Sequence, residues 1–191
     1  MNRIQASLLA VAAAATLAGC AKQPAPAAYQ APTYTDAALN PFITSSRSAV
    51  DALVQGMDMA QLGQTPVLVA TMVNVNDLSR SAPLGRTLSE IYASRLSTHG
   101  FNVIEMKLRG NVYVREGTGE LLLSREIRDI ASNHNAGLVL VGTFSAATQY
   151  TYVSMKLVRT ADSRIIRSYD YALPNERDVQ RMLNTTGSLA Q

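Results

Sequence analysis

His99 and His134 are the two imidazoles of this 191-residue chain. Each falls at the C-terminal end of a stretch whose apolar spacing predicts a helix, where the dipole favours a protonated ring. Neither has a second histidine or a carboxylate at metal-ligand spacing, so no metal site is expected. The chain contains no G-x-S-x-G elbow and no H-E-x-x-H pair. Ser79 and Ser81 share a segment with Asp77, Arg80 and Arg86, but no base stands beside them to turn a hydroxyl into a nucleophile. Gly117 and Gly119 lack the full spacing of a phosphate loop and no Lys-Ser/Thr follows them, so they read as a tight turn. Catalytic residues and cofactors are expected to be absent.

The segment containing Asn76, Asp77, Ser79, Arg80, Ser81 and Arg86 is nevertheless a candidate ligand or partner loop. It leaves the carboxyl end of an expected central strand and feeds a helix amino terminus, the place where open α/β sheets bind ligands. Free N–H groups at Leu84 and Gly85, with Arg80 or Arg86 nearby, suit an anion or a partner's carboxylate. The simpler alternative is local: Asn74, Asn76 and Asp77 satisfy turn backbone, and Ser81 caps the helix. A second candidate surface is aromatic. Tyr150, Tyr152, Tyr169 and Tyr171 fall in one expected hairpin. Tyr150 and Tyr152, turned to solvent, would form a strip suited to a protein interface; cross-strand packing explains them equally well.

The elements that must position these groups are legible from hydrophobic periodicity. Val67, Leu68, Val69, Ala70, Met72 and Val73 form an apolar run without alternation, as in a strand covered on both faces. Pro83 suits the first helical position. Leu84, Leu88, Ile91, Tyr92 and Leu96 then share one side of a 3.6-residue repeat. Gly100 should stop that helix in a left-handed conformation, and a strand, Phe101–Met106, follows. Lys107 to Leu123 is turn-rich, with Val112–Val114 either a short strand or an ordered loop. A helix after Ser124 places Ile127, Ile130, Ala131 and His134 on one face and ends at Asn135 and Gly137. Leu138–Phe144 is another continuous apolar strand. Val153, Met155 and Leu157 alternate with Tyr152, Ser154 and Lys156, predicting an antiparallel strand with one wet face, and Ile165–Leu173 returns as its partner. Upstream, Ile43–Leu62 reads as a helix capped by Thr44, Ser45 or Ser46 and stopped by Gly63, with Val50, Leu53, Val54 and Met57 as its apolar stripe. Asp178–Leu183 reads as a short last helix. The expected fold class is α/β: a mixed sheet in two or three layers, β-α-β-α-β with a C-terminal antiparallel hairpin and one additional N-terminal helix.

The first residues read as an address. Arg3 precedes an apolar run, Ile4 to Thr16, too short for a comfortable membrane span, as in a secretory signal peptide. Leu17-Ala18-Gly19-Cys20 resembles the lipobox of bacterial lipoproteins. That resemblance implies cleavage before Cys20, diacylglycerol on its thioether and an N-acyl chain, such as palmitate, on the new terminus. With Ala at 21, the sorting rule of Gram-negative lipoproteins implies the periplasmic face of the outer membrane. Two or more acyl chains anchor stably where one does not. Cys20 is the only cysteine, so no intramolecular disulfide is possible. The segment that follows is rich in Pro and Ala and reads as an extended, semi-rigid tether; at ~3 Å per residue it reaches about 60 Å. The expected organisation is a leader over 1–19, a lipidated tether over 20–41, a domain over 42–184 and a tail over 185–191. A net charge of +3 is too small to argue for nucleic acid.

Three ordered blocks carry a wider likeness: VATMVNVNDLSRSAPLGRTLSE, HGFNVIEMKLRGNVYVREGTGELLLSREIRDIA, and AGLVLVGTFS followed by the hairpin. Together they resemble the FlgO family of outer-membrane lipoproteins over roughly Val50 to Pro174. The resemblance implies a fold like the amino-terminal domain of the periplasmic protein TolB, no catalytic residues, and association with the flagellar basal body and motility. It implies a non-enzymatic assembly module with envelope protein partners. The alternative from the residues themselves is a periplasmic ligand-binding or sensing lipoprotein using the loop Asp77–Arg86.

Overall fold

The structure is a computed structural model and describes residues 31–58, 62, 64–76, 82–105 and 129–184. The chain divides between Ala37 and Ala38. On the first side lies most of α1, Tyr34–Ala38, a single exposed turn inside the stretch expected to be tether. It forms because Thr33 and Asp36 cap each other. The Thr33 N–H donates to Asp36 Oδ2 at 2.8 Å, and the Asp36 N–H donates to Thr33 Oγ1 at 3.2 Å. The Thr33 N–H and, at 2.7 Å, the Thr33 hydroxyl both donate to Asp36 Oδ2 and hold that carboxyl below its usual range.

The next helix differs from expectation at both ends. α2 runs Pro41–Val54, not Ile43–Leu62. Its cap is Asn40, whose Oδ1 accepts from the Phe42 N–H at 3.0 Å and the Ile43 N–H at 3.4 Å, and Pro41 takes the first helical position. Thr44, Ser45 and Ser46 therefore lie inside the first turns. Ser45 and Ser46 donate back to the Pro41 and Phe42 carbonyls at 2.6 and 2.7 Å. The helix ends where Gly56 turns at φ +72, before the Gly63 expected to stop it. Val50, Leu53 and Val54 of the expected stripe are buried in the core with Ala49 beside them, and Met57 is half-buried against it.

Among the described residues the sheet has six strands, in the order β3-β1-β4-β5-β6, with β2 also paired to β4. β1 is Val67–Val69, β2 Val73–Asn74, β3 Val103–Glu105, β4 Leu138–Ala146, β5 Tyr150–Arg159 and β6 Ile165–Pro174. β1 lies parallel to β3 and β4; β5 and β6 are antiparallel additions. The apolar run after Pro66 is thus two short strands, not one. Val69 sits opposite Leu140 and Val73 opposite Thr143, so the β1–β2 side carries one residue more than its partner. That extra residue is a bulge.

α3, Pro83–Thr98, starts at the proline and buries Leu84, Leu88, Tyr92 and Leu96. Its end closes through Gly100 at φ +86: the Phe101 N–H reaches the Leu96 carbonyl at 3.2 Å and the Gly100 N–H the Ser97 carbonyl at 3.0 Å. Residues 129–133 are helical and close in the same way through Asn135, at φ 53. α4, Arg177–Asn184, inserts Val179 into the core. The expected strand or loop at Val112–Val114 lies outside the described residues.

The two sheet faces are covered unequally. α2, α3 and α4 pack on one face over Val67, Val69, Leu140, Phe144, Val153, Met155 and Leu173. On the other, Ala131 and Ala136 pack with Leu68 and Val139. The domain is therefore three-layered over the parallel strands. Among the described residues it is two-layered over the hairpin.

Candidate functional site

The bulge is built from groups distant in sequence. Ser89, on α3, accepts a hydrogen bond from the Met72 N–H at 2.9 Å, while its single proton faces the carbonyls of Ala70 at 3.0 Å and Gly85 at 2.9 Å. Gly85 lets the helix approach: a Cβ there would lie 2.0 Å from the Met72 carbonyl oxygen. Gly142 does the same on β4, where a Cβ would lie 2.3 Å from the Ser154 oxygen and 2.6 Å from the Met72 sulfur. Past the bulge, β2 leads into Val75 and Asn76, and Asn74 Oδ1 accepts from the Asn76 N–H at 2.9 Å.

Of the candidate loop, Asn76 and Arg86 are exposed; Asp77, Ser79, Arg80 and Ser81 lie outside the described residues. The residue at the cap position of α3 is Ala82, which offers no side-chain bond of its own. Leu84 and Gly85 are buried.

Val75 instead joins a different feature. On the outer face of the sheet, Thr143, Ser154 and Asp170 stand in one row across β4, β5 and β6, and Ser145, Tyr152 and Ala172 in the next. With Val75 these residues line an open hollow of about 470 Å³. Tyr150 and Tyr152 are 44% and 56% exposed beside it. Alternation puts them there, because their neighbours Thr151 and Val153 face the core.

Tyr171 lies on the opposite face, paired with Val153. Its hydroxyl accepts from Tyr92 at 2.5 Å and donates to Ser46 at 3.2 Å, and the Ser46 hydroxyl in turn donates to the Phe42 carbonyl. This one-way chain ties α3, β6 and α2 together. Burial pushes the Tyr92 hydroxyl far up and the Tyr171 hydroxyl up as well, so both stay protonated.

His99 caps the end of α3 and meets Asp51 of α2, its Nε2 lying 2.6 Å from Oδ1. Arg95 grips the same carboxylate through Nε at 2.6 Å and Nη2 at 2.8 Å. The Arg95 bonds, with His99 adding less, bring the Asp51 carboxyl down to about 2. Sequence spacing does not reveal this cluster, because Asp51 belongs to another helix. Among the described residues no group of three His, Cys, Asp or Glu side chains is placed to hold a metal.

Fold and site together define an α/β domain that, among the described residues, has one helix-covered sheet face and one partly open, aromatic-edged face. The chain belongs to the FlgO protein family, which matches residues 47–178. No curated protein matches it. Among solved structures it is similar to the C-terminal domain of LpoB from Salmonella enterica, at 17% identity and a TM-score of 0.51, over 70% of this chain and 98% of that one. The Escherichia coli LpoB C-terminal domain gives 18% and 0.49 over the same shares. TolB from Acinetobacter baumannii gives 13% and 0.36, over 62% of this chain and 25% of that one. The LpoB likeness speaks for the fold.

Proposed function

We propose that this protein is a non-enzymatic envelope lipoprotein that docks a partner protein on the open face of its β4–β5–β6 hairpin layer. The observation that carries the reading is the exposure of Tyr150 and Tyr152 beside a hollow edged by Thr143, Ser154 and Asp170. Tyrosines give large, rigid contact area at small entropic cost, and a partner seated there would cover them. The lipobox-like Leu17–Cys20 supports anchoring at the outer membrane through acyl chains on Cys20, facing the periplasm. Among the described residues no helix is long and apolar enough to cross a membrane. Family membership supports a flagellar basal-body component as the partner.

Two experiments test this. Tyr150→Ala with Tyr152→Ala should abolish partner association and motility while the melting temperature stays near that of the parent. Normal association would refute the docking face. Cys20→Ser should release the protein from the outer-membrane fraction; unchanged sedimentation would refute the anchor.

A further inference from the structure

β6 is the outermost strand among those described. Its edge is unlike that of β3 on the other side, which is a three-residue strand. β6 runs for ten residues, and from Arg167 to Asp170 every residue is exposed. Natural proteins blunt long edges with lysines, prolines or bulges. Here the register shift lies near the start, opposite Leu157 and Val158, and proline waits at the far end, Pro174. Between them the strand is regular.

The hydrogen-bond phase fixes which groups face outward. The Ala147 N–H bonds the Tyr150 carbonyl and the Asn175 N–H bonds the Gln149 carbonyl. Odd residues of β5 therefore pair with β6, occupying the backbone groups of Arg167, Tyr169, Tyr171 and Leu173. The N–H and C=O groups of Ser168, Asp170 and Ala172 point away from the sheet. Asp170 and Ala172 also line the hollow, so edge and hollow form one surface. The Asp170 carboxylate is exposed and carries no hydrogen bond or ion pair to any described residue.

We propose that this edge takes up an extended segment of the partner protein as an added strand, with a lysine or arginine of that segment on the Asp170 carboxylate. The inference rests on the docking face proposed above and gives its chemistry. An added strand lies about 4.8 Å beyond β6, so a basic side chain opposite Asp170 reaches its oxygens. Backbone bonds then supply affinity and alternate side chains supply choice. A second copy of this chain fits worse. In any antiparallel pairing of two β6 edges, Asp170 meets Ile165, Ser168, Asp170, Ala172 or Pro174, none of them cationic.

The test uses the full chain in detergent and a fluorescein-labelled octapeptide of alternating threonine and valine with a central lysine. Binding is read by anisotropy beside two comparison peptides, one with central glutamate and one N-methylated at the residues facing the edge. The lysine peptide should bind at least tenfold tighter than either. Asp170→Lys should swap the preference to glutamate. Ala172→Pro, which deletes one outward N–H at a position an edge strand tolerates, should weaken both by about tenfold. No swap, equal binding of the N-methylated peptide, or no binding at about 1 mM would overturn the proposal. So would concentration-dependent protection of the Ser168, Asp170 and Ala172 amides without peptide, which would assign the edge to a second copy. Partner association that survives Ala172→Pro and Asp170→Lys but is lost with the Tyr150 and Tyr152 alanines would overturn strand addition and leave the docking face standing.

Discussion

The Ser89 hydroxyl lies 2.9 Å from the Met72 amide nitrogen and takes the hydrogen bond that the bulged strand cannot give to β4. Both residues are buried. Ser89→Ala leaves that N–H unpaired in the core and should cost about 1–3 kcal/mol. Urea unfolding with unchanged m-value would measure it. Ser89→Thr keeps the oxygen but adds a methyl against packed backbone, and should be less costly only if α3 shifts.

Gly85 and Gly142 are the spaces into which that arrangement fits. Gly85→Ala puts a methyl against the Met72 carbonyl and should destabilise the domain by about 3 kcal/mol. An exposed glycine with open space around it, Gly56, gives the contrast: its cost comes from positive φ alone, about 1 kcal/mol. Thermal melts of the two variants should differ in that order.

The hydroxyl chain predicts an asymmetry between two tyrosines. Tyr92→Phe removes only the terminal donor, and Tyr171 still bonds Ser46. Tyr171→Phe leaves the fully buried Tyr92 hydroxyl without its acceptor. The second should be the more destabilising by about 1 kcal/mol, and the double variant should recover part of that loss.

Acid sensitivity follows from Asp51. Its folded pKa is held at about 2, below the unfolded value near ~3.9. A depressed carboxylate contributes stability above the unfolded value, and that contribution fades as pH falls through the folded one. Asp51→Asn should therefore flatten the pH dependence of stability between those two values, with a modest loss at neutral pH because the group is more than a third exposed. An unchanged acid limb in the variant would contradict this.

What could be read from sequence was what local chemistry decides. Pro83 starts α3, Gly100 and Asn135 stop their helices with left-handed backbone, and alternation from Tyr152 to Leu157 marks a one-sided strand. What escaped was set by distant partners. Nothing near Ala70 announces that Ser89 will split the strand, and nothing near His99 points to Asp51 on α2. At the start of α2 three consecutive hydroxyl residues compete in sequence with Asn40, yet it is the single Asn40 oxygen that serves two amides. The four hairpin tyrosines look alike in sequence, yet pairing opposite Val153 sends Tyr171 inward while Tyr152 stays outside.

The most direct measurement replaces Tyr152 with a photo-cross-linking residue and, in parallel, Glu90, which is exposed on α3 of the other layer. After irradiation of intact cells, the account predicts a discrete protein adduct from position 152 and none from position 90, with the former lost when Tyr150 is also alanine. Adducts of equal yield from both positions, or from position 90 alone, would contradict it.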